Sequence, residues 1–162
     1  MFSLIGADEF VTLGIPMNDS NSSPAGLRLR LAAAAYDLLP LIGLWFVAAV
    51  LALTVTGGAL DTHTFAGKFI VQGFALALSA AYFVVSWTRG GQTIGMRAWK
   101  LRVVDASGAP LRWPQAVLRF VTALVSIAAL GAGFWWALFD PQRRAWHDIT
   151  ARTRVVRTLS KS

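Results

Sequence analysis

From Leu31 to Leu60 the chain carries a single charge, Asp37. Two further runs, Phe69 to Thr88 and Phe120 to Phe139, carry none. Each run is at or above the ~20 residues that a helix needs to cross the hydrocarbon core of a bilayer. Inside lipid every backbone polar group must be satisfied within the segment, so an isolated apolar run has to be helical. None of the three shows the polar face that a helix of a soluble bundle turns to water. The composition agrees: 56% of the 162 residues are hydrophobic and 14% are charged, against roughly 25% charged in soluble domains. A disordered chain would be less apolar. A formal charge of +7 on so apolar a chain points to membrane topology and headgroups, not to nucleic acid. The expected fold class is an all-α membrane protein, a small helical bundle of three hydrophobic segments.

The remaining charges are clustered. Residues 89–119 hold Arg89, Arg97, Lys100, Arg102, Arg112 and Arg119 against Asp105, a net +5. Residues 140–162 are net +4, the 57–68 connection is neutral, and residues 1–30 are net −1, with Arg28 and Arg30 just before the first run. Loops rich in Lys and Arg stay in the cytoplasm. The first two runs are therefore expected to cross, with 89–119 and the N-terminus inside. A third full crossing would export the +4 tail. Gly131-Ala132-Gly133 sits in the middle of the third run, and Gly weakens a helix by about 1 kcal/mol per residue. The third run is expected either as a full span with small residues for close packing or as a re-entrant hairpin that returns the tail. The expected location is the bacterial cytoplasmic (inner) membrane, with the C-terminus also in the cytoplasm.

Residues 1–26 are expected as a disordered N-terminal segment, 27–157 as the membrane domain and 158–162 as a disordered tail. Residues 1–16 lack a basic stretch and contain Asp8 and Glu9, which does not suit a secretory signal. Met17, just ahead of the polar stretch 18–26, is a possible true start. Residues 93–100 read as a short amphipathic helix on the cytoplasmic side, with Arg97 and Lys100 reaching headgroups. Leu101–Val104 is strand-like, 105–110 is a turn, and Leu111–Trp113 could return as the second strand of a β-hairpin. Arg144 to Ala151 looks helical. Arg154–Arg157 is strand-like again and could pair with Leu101–Val104 only if both lie on one side. Arg97, Lys100, Arg102 and Arg112 are the candidate contacts to anionic headgroups or a partner.

Asp37 is the most informative residue. An aspartate near the centre of a span costs around 2.5–3.5 kcal/mol on insertion scales, so it needs a partner or a water-filled cavity. Arg30 lies two turns earlier on the same face, about 10 Å away along the axis. Asp37 reads either as a structural carboxylate or as one that handles an ion or proton. On the second run Gln72, Ser79 and Ser86 recur every seven residues, and Tyr82 falls on the same face. These four are expected to line a path or to act as interhelical hydrogen bonds of about 0.6–2 kcal/mol each. Thr122, Ser126, Ala129 and Gly133 have the spacing of small residues at a close helix contact. The chain has no cysteine, two histidines and no Gly-x-Ser-x-Gly elbow. That excludes thiolate metal sites and thiol nucleophiles, and a serine-hydrolase elbow. His147-Asp148 lacks the further ligands that a phosphohydrolase metal site needs. No enzymatic activity, cofactor or metal is expected.

Three motifs carry a family resemblance. Arg30-Leu31-Ala32-Ala33-Ala34-Ala35-Tyr36-Asp37 resembles the opening of RDD family membrane proteins, in which an arginine starts the first span and an aspartate follows. Gly91-Gln92-Thr93-Ile94-Gly95-Met96-Arg97, running into Leu101-Arg102-Val103-Val104-Asp105, is similar to that family's Gly-Gln-Thr-x-Gly-Lys-Arg segment and following strand. Arg143 to Thr153, with Arg144, His147-Asp148 and Thr153, looks like its terminal Arg-x-x-His-Asp-x-x-x-x-Thr motif. The resemblance spans about residues 27–157. Met96 stands where Lys is usual, and Arg152 where a small residue is usual. It implies that Arg30, Asp37 and Asp148 are the family's charged trio, and that pairing of Arg30 with Asp148 would require a cytoplasmic tail. Two functions fit. In one, the protein handles a cation, proton or small solute at Asp37, with Arg30 and Asp148 as its charge partners, in a homo-oligomer. In the other it is a scaffold or accessory subunit of a larger membrane complex, and the trio is a structural network.

Overall fold

In a computed structural model, residues 22–140 and 144–158 are described. The possible start at Met17, the rest of 1–21 and the tail beyond 158 lie outside them. The elements, in order, are β1 (Ser22–Pro24), α1 (Leu27–Val55), α2 (Phe65–Arg89), α3 (Ile94–Ala98), β2 (Leu101–Asp105), α4 (Trp113–Ala128), α5 (Ala132–Trp135), a 3-10 turn (Trp136–Leu138), α6 (Trp146–Thr150) and β3 (Thr153–Thr158).

Helices α1 and α2 are long and apolar enough to cross a membrane. They are not core helices. Of the 29 residues of α1 only Ala33, Asp37, Leu41, Ala48 and Ala52 are buried, a narrow stripe at helical spacing. Around it Leu39, Phe46 and Val55 are about 70% exposed, a surface that suits lipid and not water. The two helices run antiparallel, joined through a turn in which Gly57 and Gly58 take positive φ. The Trp45 indole N–H donates to Ser79 Oγ at 3.1 Å across them. Pro40 inside α1 removes one backbone N–H from the helix ladder, one turn from Asp37.

The third apolar run is not one helix. α4 begins at Trp113, with Pro114 in its first turn, where its missing N–H has no intrahelical partner to lose. It ends at Ala128 after 16 residues, or about 24 Å, short of the ~30 Å hydrocarbon core. Leu130 and Gly131 then take positive φ, and α5 starts a new direction. The break falls at the glycine pair. A methyl on Gly133 would stand 2.5 Å from Ser126 Oγ and 3.1 Å from Trp146 Cβ, so the small residues at this spacing let α5 pack directly on α4 and α6.

The expected β-hairpin does not form. Residues 109–112 are irregular. β2 pairs instead with β3, antiparallel, with Leu101 opposite Arg157 and Val104 opposite Arg154. β1 pairs with the other edge of β3, giving the order β1-β3-β2. Two boundaries of the expected disordered segments are corrected with it: residues 22–26 are strand β1 and the approach to α1, and Thr158 belongs to β3. A β-branched strand such as 101–104 needs a partner with a matching apolar face. Val155, 2% exposed, provides it. The main core lies where the sheet meets the ends of the helices: Ala25, Ala33, Val84, Trp87, Leu101, Val103, Ala116, Phe120 and Val155. The chain thus has two parts, a pair of thinly packed long helices and a tightly packed cap at one end.

Candidate functional site

Two buried carboxylates organise the junction between cap and helices. Asp37, 4% exposed, is reached by three uncharged donors. Tyr82 of α2 donates its hydroxyl to Oδ1 at 2.7 Å. The Gly95 N–H of α3 donates to the same oxygen at 2.8 Å. Thr93, just before α3, donates its hydroxyl to Oδ2 at 2.6 Å. The donors are themselves held. Tyr82 Oη accepts from the Ile94 N–H at 3.1 Å, and Thr93 Oγ1 accepts from the Met96 N–H at 3.2 Å. Asp37 and its partners therefore satisfy the first-turn N–H groups of α3, which have no partner within the helix. Gly95 makes this possible: any Cβ there would collide with the Ala33 carbonyl and stand 3.0 Å from Asp37 Cγ. The loop before α3 is pinned by Gly91, at φ 65 and accepting at its carbonyl from the Val103 N–H at 2.7 Å. Gln92 adds a bond from Nε2 to the Leu101 carbonyl at 2.6 Å.

Asp148 is satisfied by charge. Arg30 Nη1 donates to Oδ2 at 2.5 Å, and Arg119 Nη1 donates to Oδ1. The Ala145 N–H at the start of α6 donates to Oδ2 at 3.0 Å. Arg119, 2% exposed, also donates to Thr153 Oγ1 at 2.6 Å and lies over the Trp87 ring at 5.1 Å, a favourable placement for a cation on an indole face. Arg30 Nε donates to the Ala25 carbonyl at 3.1 Å. Burial opposes ionisation of Asp148, but Arg119, His147, Arg30 and the Ala145 N–H together hold it well below the usual carboxylate range. Burial and the adjacent Arg119 push the His147 imidazole down to about 3, so it is neutral near pH 7. Its Nε2 lies 3.6 Å from Asp148 Oδ1.

The expected trio is therefore split. Arg30 meets Asp148, but neither pairs with Asp37; Arg119 takes the third place. Ser79 joins helices, accepting from Trp45 and donating to the Ala75 carbonyl at 2.7 Å. Gln72 is exposed. The Ser86 carbonyl accepts from the Gly90 and Gln92 N–H groups at the end of α2. Arg97, Lys100, Arg102 and Arg112 are exposed, and the Arg112 N–H is bonded by Gln115 Oε1 at 3.0 Å. Reading the sequence missed Thr93, Gly95 and Arg119 as site residues. The signal was present in part, since Thr93 and Gly95 belong to the glycine-bearing motif and Arg119 stands at the head of the third run. Among the described residues no group of three or more His, Cys, Asp or Glu side chains converges on a metal position.

This geometry puts all three motifs at one junction, and the RDD family model matches residues 24–152. The chain belongs to the RDD family. No curated protein and no solved structure matches it. In this RDD protein the opening motif supplies Arg30 and Asp37, the middle motif supplies Thr93 and Gly95, two of the three donors to Asp37, and the last supplies Asp148. Its departures from the family pattern fall at the edges of the site. Arg152 takes φ 52 just after α6, the left-handed region that favours small residues, and its side chain is exposed. Met96 is half-buried against the cap core.

Proposed function

We propose that this protein is a non-enzymatic membrane-embedded scaffold whose buried charges lock a cytoplasmic cap onto two spans. The observation that supports it is the engagement of both Asp37 oxygens, which accept from Tyr82, Thr93 and Gly95. A carboxylate that loads and releases a cation needs lone pairs open to it, and three of about four are taken here. Binding a cation with both oxygens would loosen the contact that joins α1, α2 and α3. The cap comprises the sheet, α3 and α6, and we place it in the cytoplasm with both ends of the domain. The third run then enters the membrane part-way and returns. The +5 and +4 stretches, the glycine break after α4 and the Arg30–Asp148 pair support this placement. Arg97, Lys100, Arg102 and Arg112 would meet anionic headgroups or a partner at that face, and the exposed apolar sides of α1 and α2 suit a second copy or a larger complex.

Handling of a cation, proton or small solute at Asp37 is the second reading. One observation favours it: Asp37 lines a cavity between α1, α2 and α4. Proteoliposomes carrying a pH gradient separate the two. The scaffold reading expects no coupled Na+ or K+ flux from the wild type, and a lowered unfolding temperature in Asp37→Asn. Wild-type flux that Asp37→Asn abolishes at unchanged unfolding temperature would establish the transporter instead. A reporter fused at Ser162 should be active in its cytoplasmic form; a periplasmic signal overturns the placement of the cap.

A further inference from the structure

The cavity between α1, α2 and α4 has a volume of about 470 Å³, within the ~300–1,000 Å³ of small-molecule sites. Its walls are apolar, with Leu41, Phe83 and Leu124 among them. Leu38, Leu76 and Ile127 also line it and are 50%, 49% and 61% exposed, so the cavity opens on the side of the helices that suits lipid. Its cationic groups gather at one end. Arg30 stands in the first turn of α1, Arg119 in the first half of α4, and Trp87 near the end of α2. Two guanidiniums face one carboxylate there, Asp148, which leaves a net positive charge. Asp37 is two turns deeper, only 4% exposed and bonded by three donors.

Two buried donors at that end lack acceptors. Arg119, 2% exposed, has no partner for its Nε–H, and Trp87, 6% exposed, has none for its indole N–H, among the described residues. Buried polar groups are normally satisfied, and the exceptions ask for a reason. Two unpaired N–H groups beside excess positive charge fit an acceptor that is itself anionic. The rest of the cavity offers a chain-like apolar space: α1 lines it from Leu27 to Trp45, about 27 Å of helix. An acidic head at the membrane edge with an apolar tail directed inward is the arrangement of a lipid in its own leaflet. A helix of a second copy would fill the apolar part but bring no anionic acceptor to Arg119, since the apolar runs hold no acid besides Asp37.

We propose that this cavity binds one acyl chain of an anionic membrane lipid, with the acidic headgroup on the Arg119 and Trp87 N–H groups. The headgroup depth rests on the cap placement proposed above, which the Ser162 reporter tests separately. Native mass spectrometry of the full chain in neutral detergent, titrated with dioleoyl phosphatidylglycerol or dioleoyl phosphatidylcholine, reads the binding directly. The expected result is a one-to-one adduct with the anionic lipid, favoured about tenfold over the zwitterionic one. Ala123→Trp fills the cavity and keeps every arginine, so it should abolish that adduct; Ala75→Phe serves if the first variant does not fold. Trp87→Phe keeps an aromatic ring but removes one donor and should weaken the adduct several-fold. Lys68→Ala, which removes an exposed cation at the opposite end of α2, should leave it intact. Equal binding of both lipids, an adduct that survives cavity filling, or a lipid-free dimer lost with cavity filling would each overturn the proposal.

Discussion

Asp37 and Asp148 are both buried carboxylates at the junction of cap and helices, and they are stabilised in opposite ways. Asp37 is held by three neutral donors and, among the described residues, no ion pair. Asp148 sits between two arginines. Removing one member of an ion network leaves uncompensated buried charge, whereas removing a hydrogen-bonded acceptor leaves only unsatisfied dipoles. The difference teaches that the first site is a docking joint, set by shape and directional bonds. The second is an electrostatic lock, and its loss strands other charges.

That contrast ranks the expected effects. Asp148→Ala should be the most damaging, by about 3–5 kcal/mol, because Arg30 and Arg119 lose their shared counterion; thermal unfolding in detergent measures it. Asp37→Asn should lower stability by about 1–3 kcal/mol, since an amide in its place turns a donor toward donors. An Asp37→Asn loss equal to that of Asp148→Ala would mean that Asp37 is also held by charge, and the comparison would fail. Gly95→Ala should cost about 1–3 kcal/mol by overpacking α3 against the Ala33 carbonyl, and Tyr82→Phe combined with it should add less than the two singly, because both loosen one joint.

Taken per pH unit, the effect of acid is the smallest. His147 is depressed from 6.5 to about 3 in the folded protein, so between those values the unfolded chain binds a proton that the folded chain does not. Stability should therefore fall on acidification through this window, by at most about 1.4 kcal/mol per pH unit. Unfolding of wild type and His147→Gln from pH 7 to 5 checks it: the variant should have the flatter profile. Loss of the Asp148 pairs lies at lower pH, because that carboxyl stays ionised well below its usual range.

Much of the helical layer was legible because it depends on local quantities. Charge-free length pointed to α1 and α2, and the glycine pair offered a break in the third run, with a full span left open beside it. The cap was less legible. Leu101–Val104 was read as a strand, one residue short of β2, with two partners left open, because period-two alternation specifies a face and leaves the partner undetermined. Leu111–Trp113 and Arg154–Arg157 were both eligible, and the burial of Val155 against the core decides between them. The Arg30–Asp148 pairing followed from the family resemblance and not from spacing. Asp37 meets Thr93 and Gly95 at separations of 56 and 58 residues, and no periodicity within either element encodes that meeting. Arg119 was counted as loop charge because its position at the head of an apolar run looks the same whether it faces solvent or a carboxylate.

The bond from Arg30 to Asp148 spans 118 residues, and this bears on how the protein is made. At roughly 5–20 residues per second of synthesis, Arg30 is added to the chain about 6–24 s before its counterion exists. During that interval β1 has no β3 to pair with, and both long helices wait in the bilayer without their clasp. Until residues 144–158 arrive the newborn chain is an open hairpin, and its vulnerability to quality control should depend on how quickly they do.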